Sequence, residues 1–253
     1  MLTIPSVAER QAVELAREEE LEEARAIQRV MLPQEMLRAS PVTVAHQFQP
    51  VAIVGGDFLD YFQLGDGTVG FYVGDVSGKG LPAAMYAALT VGVLRGIHKT
   101  GQSPCRILHT LNQRFDGPGI VAAPHGHRLR GISIRQHGDA PGERGNAGPS
   151  GSGCSVLNVT GIPPGLFADA DYETLTVILD PGDCVMLCYD GIIEAQNARF
   201  EDFGIDRLIA ICGARGGLSP EELLRQIFLS VHNFTHVIQQ HDDMAAAILQ
   251  VDP

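Results

Sequence analysis

The stretch TVGFYVGDVSGKGLPAAMYAALTVGVLRGIH, residues 68–98, holds a strand, a turn and a helix in succession, each written in residue type. Val69 to Val76 is mostly apolar and rich in β-branched and aromatic residues, the pattern of a strand buried on both faces. Gly78 and Gly80 permit a tight turn, and Pro82, at a first helical position, starts an Ala-rich helix. Asp75 is thereby delivered to the C-terminal end of a buried strand. A carboxylate is expensive to bury there unless a cation or a hydrogen-bond network meets it.

Three further aspartates have comparable settings: Gly55-Gly56-Asp57, Tyr189-Asp190-Gly191 and His241-Asp242-Asp243-Met244. Four such positions converging would hold hard divalent ions such as Mg²⁺ or Mn²⁺, which take oxygen ligands. Each has a plain alternative. Asp190 before a glycine fits a turn, Asp60 fits a turn after the first strand, and Asp243 fits a cap or local pair. Lys79, between two turn glycines, reads as solvated.

Outward from this centre, Val7 to Met31 contains no Gly or Pro and predicts a helix ending before Pro33. Its apolar residues Val13, Ala16, Leu21, Ala24, Ile27 and Met31 recur at near-helical spacing. Two readings stay open: a surface helix docked on its own domain, or a signalling and dimerisation helix whose acidic run Glu18 to Glu23 leaves a narrow apolar stripe. We therefore expect an N-terminal helical segment, 1–33, and one domain, 34–253. VTVAHQFQP reads as a strand, RILHTLNQRF as a helix opened by Ser103-Pro104, and YETLTVIL with CVMLCY as a strand pair around the turn Asp180-Pro181-Gly182-Asp183. Ser219 to Glu222 is a capping box before LLRQIFLSVHNF, and MAAAILQV closes the chain as a strand. Strands and helices interleave without regular alternation, which predicts a mixed, mainly antiparallel α+β architecture.

Composition narrows the function classes. The formal net charge is −12 over 253 residues and the pI is about 5.1, which argue against nucleic acid and anionic membrane surfaces as partners. No apolar run reaches the roughly 18–20 residues that span a bilayer. The 5 cysteines form no C-x-x-C pair. With no secretory signal they fit a reducing cytoplasm and read as small core residues.

Taken in order, GGDFLDYF, GDVSGKGLPAAM, GIPPGLF, LCYDGIIEAQN with FGIDRL, and HDDMAAAILQV resemble the signatures of PPM-type metal-dependent serine/threonine phosphatases. The branch is the one typified by sporulation stage II protein E (SpoIIE) and the sigma-B regulator U, and ARAIQRVMLP resembles its helical lead-in. The resemblance covers roughly residues 24–115 and 154–251. It implies a β-sandwich flanked by helices with a two-metal site at one end, holding Mn²⁺ or Mg²⁺. Asp57, Asp75, the Val76 carbonyl, Asp190 and Asp242 would be ligands, and Asp60 and Asp243 possible ones. The resemblance further implies a water nucleophile in place of a protein one, and a phosphoserine or phosphothreonine substrate on a small anti-sigma-factor antagonist, a STAS-like protein. A homodimer through the N-terminal helix is a further expectation. The alternatives are a catalytically weak or inactive binding module and, because GGDFLD resembles the GGDEF signature, a nucleotidyl cyclase.

Residues 116–153 break the pattern, being rich in Gly, Arg, His and Pro with little strand periodicity. They read as an insertion, or as the product of two compensating frameshifts, since a shifted frame permits an Asn-Ala-Gly turn where the family has one. His125 and His127 lack further ligands nearby and read as loop residues rather than a zinc fragment. No G-x-x-x-x-G-K-[ST] loop is present, against an ATP-dependent kinase.

Overall fold

Glycines in one strand make room for aromatic rings from its neighbour, and this pairing fixes the first of two sheets. The computed structural model describes residues 6–76, 78–115, 129–137, 154, 156, 163–214, 216–236 and 238–252. In chain order the elements are α1 (Val7–Met31), β1 (Leu37–Ala39), β2 (Val42–Gln49), β3 (Phe58–Gln63), β4 (Val69–Val76), α2 (Leu81–Ile97), α3 (Pro104–Phe115), β5 (Leu129–His137), β6 (Cys184–Cys188), α4 (Asp190–Ile193), α5 (Ile205–Gly213), α6 (Pro220–Thr235) and β7 (Met244–Val251). Strands β3, β4 and β5 form one antiparallel sheet, and β1, β2, β7 and β6 the other, in those orders. Phe58 pairs with Gly74 and Phe62 with Gly70. A Cβ on Gly74 would lie 1.9 Å from the Phe58 ring, and one on Gly70 2.4 Å from Phe62, so only glycine admits those rings across the strand.

Alternation along the strands builds three apolar layers. Leu59, Phe71 and Val73 meet Val44, Ala245, Ala247 and Leu249 between the sheets. The opposite faces carry Phe58, Phe62 and Tyr72 against α2 and α3, and Ala246 and Ile248 against α5 and α6. The result is the expected α+β sandwich, helices on both outer faces. Gly80 at φ 70° and Pro82 open α2 as the sequence predicts. Capping boxes at Ser6 and Ser219 open α1 and α6.

Most of the long helix α1 is exposed, and it packs against α2. Val13 and Ile27, expected on the apolar stripe, are exposed, while Gln28 is the buried residue. Among the described residues no helix is long and apolar enough to cross a membrane.

Four expectations need correction. YETLTVIL is not a strand: residues 173–180 are irregular and mostly exposed, with Leu175 and Ile178 facing solvent, and β6 pairs with β7 instead. The turn survives, Asp183 N donating to Asp180 O at 2.9 Å. Asp60 lies inside β3 and not in a turn. Residues 129–137, in the stretch without visible strand periodicity, add β5 to the β4 edge. The rest of 116–153, with His125 and His127, lies outside the described residues. Of the cysteines, Cys154 is exposed rather than core.

Candidate metal centre

Strand register assembles the site. Since Phe58 pairs with Gly74, Asp57 and Asp75 come together at one end of the first sheet. In the second sheet Cys188 pairs with Ala246 and Tyr189 N donates to Ala245 O at 3.4 Å, which sets Asp190 beside the Asp242-Asp243 entry to β7. The two ends meet. Gly56 N donates to Asp243 Oδ2 at 2.8 Å and Asp57 N to the same oxygen at 3.4 Å. The Asp243 carbonyl lies 1.8 Å from where a Cβ of residue 191 would be, so Gly191 is required for the approach. The Val76 carbonyl oxygen lies 2.5 Å from a would-be Cβ on Gly56.

Electrostatics mark Asp57 as the centre. Its carboxyl is pushed well above the usual carboxylate range, first by burial and then by the charges of Asp75, Asp243 and Asp242. Its Oδ2 is buried with no hydrogen-bond partner among the described residues. Tyr189 stands among the same acids: burial, then Asp57, Asp75 and Asp190, raise its phenol, whose hydroxyl donates to Val73 O at 2.6 Å. The Cys188 thiol is raised to about 11 by burial and by Asp190. An unpaired buried oxygen amid like charges is a site short of positive charge, and donors that are all oxygen suit a hard divalent cation. Among the described residues no group of three or more His, Cys, Asp or Glu side chains is arranged to hold a metal ion as it stands.

Asp243 is spent on the backbone. Its Oδ1 accepts from Val51 N at 2.8 Å and its Oδ2 from Gly56 and Asp57, so it shapes the loop that carries Asp57. Burial raises its pKa, and these three N–H groups pull it back. Asp60 is not brought into the cluster. It faces α2, where Arg95 Nε lies 2.6 Å from its Oδ2 and the Tyr72 hydroxyl donates at 3.3 Å.

Sequence reading missed two residues of this site. Gln28 reaches from α1 to Gly55, donating to its carbonyl at 2.7 Å and accepting from its N–H at 3.1 Å. Nothing in α1 marks which face docks. Tyr189 had one signal, its place between strand β6 and Asp190.

The model of the family described as Stage II sporulation protein E (SpoIIE) matches residues 65–118 and 147–252. Protein IcfG of Synechocystis sp. is 28% identical over 235 residues, 81% of this chain and 37% of that protein, so the chain spans little more than a third of that relative. Phosphoserine phosphatase RsbU of Bacillus subtilis is 23% identical over 246 residues, 91% of this chain and 70% of RsbU. The SiaA-PP2C domain of Pseudomonas aeruginosa superposes with a TM-score of 0.71 at 18% identity, covering 95% of this chain and 99% of that domain. By its family match and its sandwich architecture, the chain belongs to the SpoIIE family of PPM-type phosphatase domains.

Proposed function

We propose that the chain is a metal-dependent protein serine/threonine phosphatase. The observation that supports this reading is the buried Asp57 Oδ2, which has no partner among the described residues and stands amid the charges of Asp75, Asp242 and Asp243, with Asp190 beside them at Tyr189. Asp57, Asp75, the Val76 carbonyl, Asp190 and Asp242 would hold two Mn²⁺ or Mg²⁺ ions. When bound, such ions lower the pKa of water and neutralise phosphoryl oxygens. The chain's own residues set the stage: Asp243 fixes the Gly56-Asp57 backbone, and Tyr189 holds the end of β6 against β4. Asp60 has no ligand role in this reading.

The substrate we propose is phosphoserine or phosphothreonine on an anti-sigma-factor antagonist, STAS-like, in a cytoplasmic partner-switching pathway. The likeness to a protein named phosphoserine phosphatase supports it. A second reading, a catalytically weak binding module that dimerises through α1, draws on the exposed Val13, Leu15, Ile27 and Val30 of that helix. The nucleotidyl cyclase alternative falls with the phosphatase fold. Residues 119–146, which the family match passes over, fit the insertion and the frameshift readings alike; stop codons in the shifted frame would end the second.

Titration with Mn²⁺ against a phosphomonoester tests the main reading. Asp75→Asn and Asp190→Asn should each lose at least about a hundredfold in turnover while staying folded, the scale of removing a main electrostatic contributor. Undiminished rates in both would remove the site, and a folded chain with no turnover at saturating Mn²⁺ would favour the binding module.

A further inference from the structure

A cavity of about 570 Å³ opens beside the carboxylate cluster, with Lys79 and Asp242 in its lining. The buried apolar residues Phe228 and Met244 are also in its lining. The C-terminal part of α6, with His232 and Thr235, forms one wall, and the chain after α4, with Glu194 and Asp202, forms another. A concavity of this volume lined by both apolar and polar residues can take a ligand.

Lys79 decides what the cavity suits. Its ammonium donates to the carbonyl of His241, the residue before Asp242, and so bridges the β4–α2 turn to the β7 entry. Gln240 Nε2 donates to Gln49 O at 2.9 Å and Asp242 O at 2.6 Å, which holds that entry in place. Among the described residues Lys79 is the one Lys or Arg in the lining. On a chain of net charge −12 it gives an approaching phosphate dianion a side-chain cation beside the divalent ions of the proposed reading.

We propose that this cavity is the docking groove for the residues flanking the phosphorylated side chain of a protein substrate, with Lys79 contacting the phosphate; the inference rests on the phosphatase reading above. Continuity with the site names the occupant, since a segment lying in the groove has its phosphoryl end at Asp242. Glu194 and Asp202 select a flanking segment that carries Lys or Arg. Phe228 and Met244 receive its apolar atoms.

The test uses the full chain with Mn²⁺, a phosphoserine peptide containing one Arg, its unphosphorylated twin, and p-nitrophenyl phosphate. Thr235→Trp fills the groove from a helix surface, and Gln239→Trp does so from the neighbouring loop should the first variant fail to fold. Either should raise KM for the phosphopeptide about tenfold more than KM for p-nitrophenyl phosphate. In calorimetry Lys79→Met should weaken the phosphopeptide about tenfold and leave its twin unchanged. Equal effects on both substrates, or unaltered peptide affinity in the Trp variants, would overturn the groove. If the wild-type chain hydrolyses neither substrate, the phosphatase reading fails by itself. Calorimetry then still decides: peptide binding abolished by Trp upholds the groove, and binding that persists refutes it.

Discussion

Gln28 and Gly55 grip each other through paired hydrogen bonds, Nε2 to the Gly55 carbonyl at 2.7 Å and the Gly55 N–H to Oε1 at 3.1 Å. Both groups are buried, two residues before Asp57. Gln28→Ala strands a backbone donor and acceptor, each worth about 1–3 kcal/mol when left unsatisfied. The expected outcome is a lower melting temperature and Mn²⁺ binding weakened about tenfold, close to 1.4 kcal/mol. Calorimetric titration checks it, and an unchanged Mn²⁺ affinity would show that α1 does not brace the site.

Asp243 and Asp242 are adjacent but do different work. Both oxygens of Asp243 accept backbone N–H groups, so Asn can satisfy only one side and turns a donor toward the other. Asp242 Oδ1 accepts from Asp243 N at 3.0 Å, a bond that Asn keeps. Asp243→Asn should therefore lower the melting temperature by several degrees, roughly 2–4 °C per kcal/mol in a chain of this size, whereas Asp242→Asn should spare stability and abolish Mn²⁺ binding. The reverse assignment in paired melting and titration experiments would contradict the proposed roles.

Asp60 joins Arg95 at 2.6 Å, and the same guanidinium donates through Nη2 to Met31 O at 2.6 Å, tying α1, α2 and β3 together. Removing one partner of a buried pair costs about 3–5 kcal/mol. The Arg95 side chain is 39% exposed, so screening reduces that to about 1–3 kcal/mol. Asp60→Asn should destabilise the fold while leaving the Mn²⁺ dissociation constant within about twofold, a margin under 0.5 kcal/mol. A tenfold loss of affinity would make it a ligand after all.

How much was legible follows from where each residue finds its partner. The β4–turn–α2 unit could be read because strand, glycine turn and Pro82 are all local signals, and β7 because MAAAILQV is apolar on both faces. β3 was hidden by Asp60, whose partner Arg95 lies far along the chain. The strand expected at YETLTVIL failed for the opposite reason: apolar residues sit at strand spacing, but no sheet covers Leu175 or Ile178. Asp57, Asp75 and Asp190 were visible through their glycine neighbours, and Asp242 through the apolar strand that follows it. The role of Asp243 was not, because its donors at Val51, Gly56 and Asp57 come from the other end of the sequence, and Gln28 looked like any helical surface residue until its partner was seen.

His98 should make stability depend on pH. The residue is 4% exposed, its ring stacks on Phe62 at 4.0 Å, and neither ring nitrogen has a hydrogen-bond partner among the described residues. Burial is the main cause that lowers its pKa, opposed by Asp60 and assisted by Lys99 and Arg95. His46 is lowered in the same way, by burial against Asp60. A base with a folded pKa below its ordinary value of 6.5 takes up more protons when unfolded. Its contribution is therefore complete above that pH and is lost as the pH falls below it. Melting temperatures measured from about pH 7.5 down to about pH 5.5, across the ordinary histidine range, should fall for the wild-type chain. His98→Leu should flatten the curve without removing it, since His46 still titrates, and a curve of unchanged steepness would mean that the buried imidazole is not the group responsible.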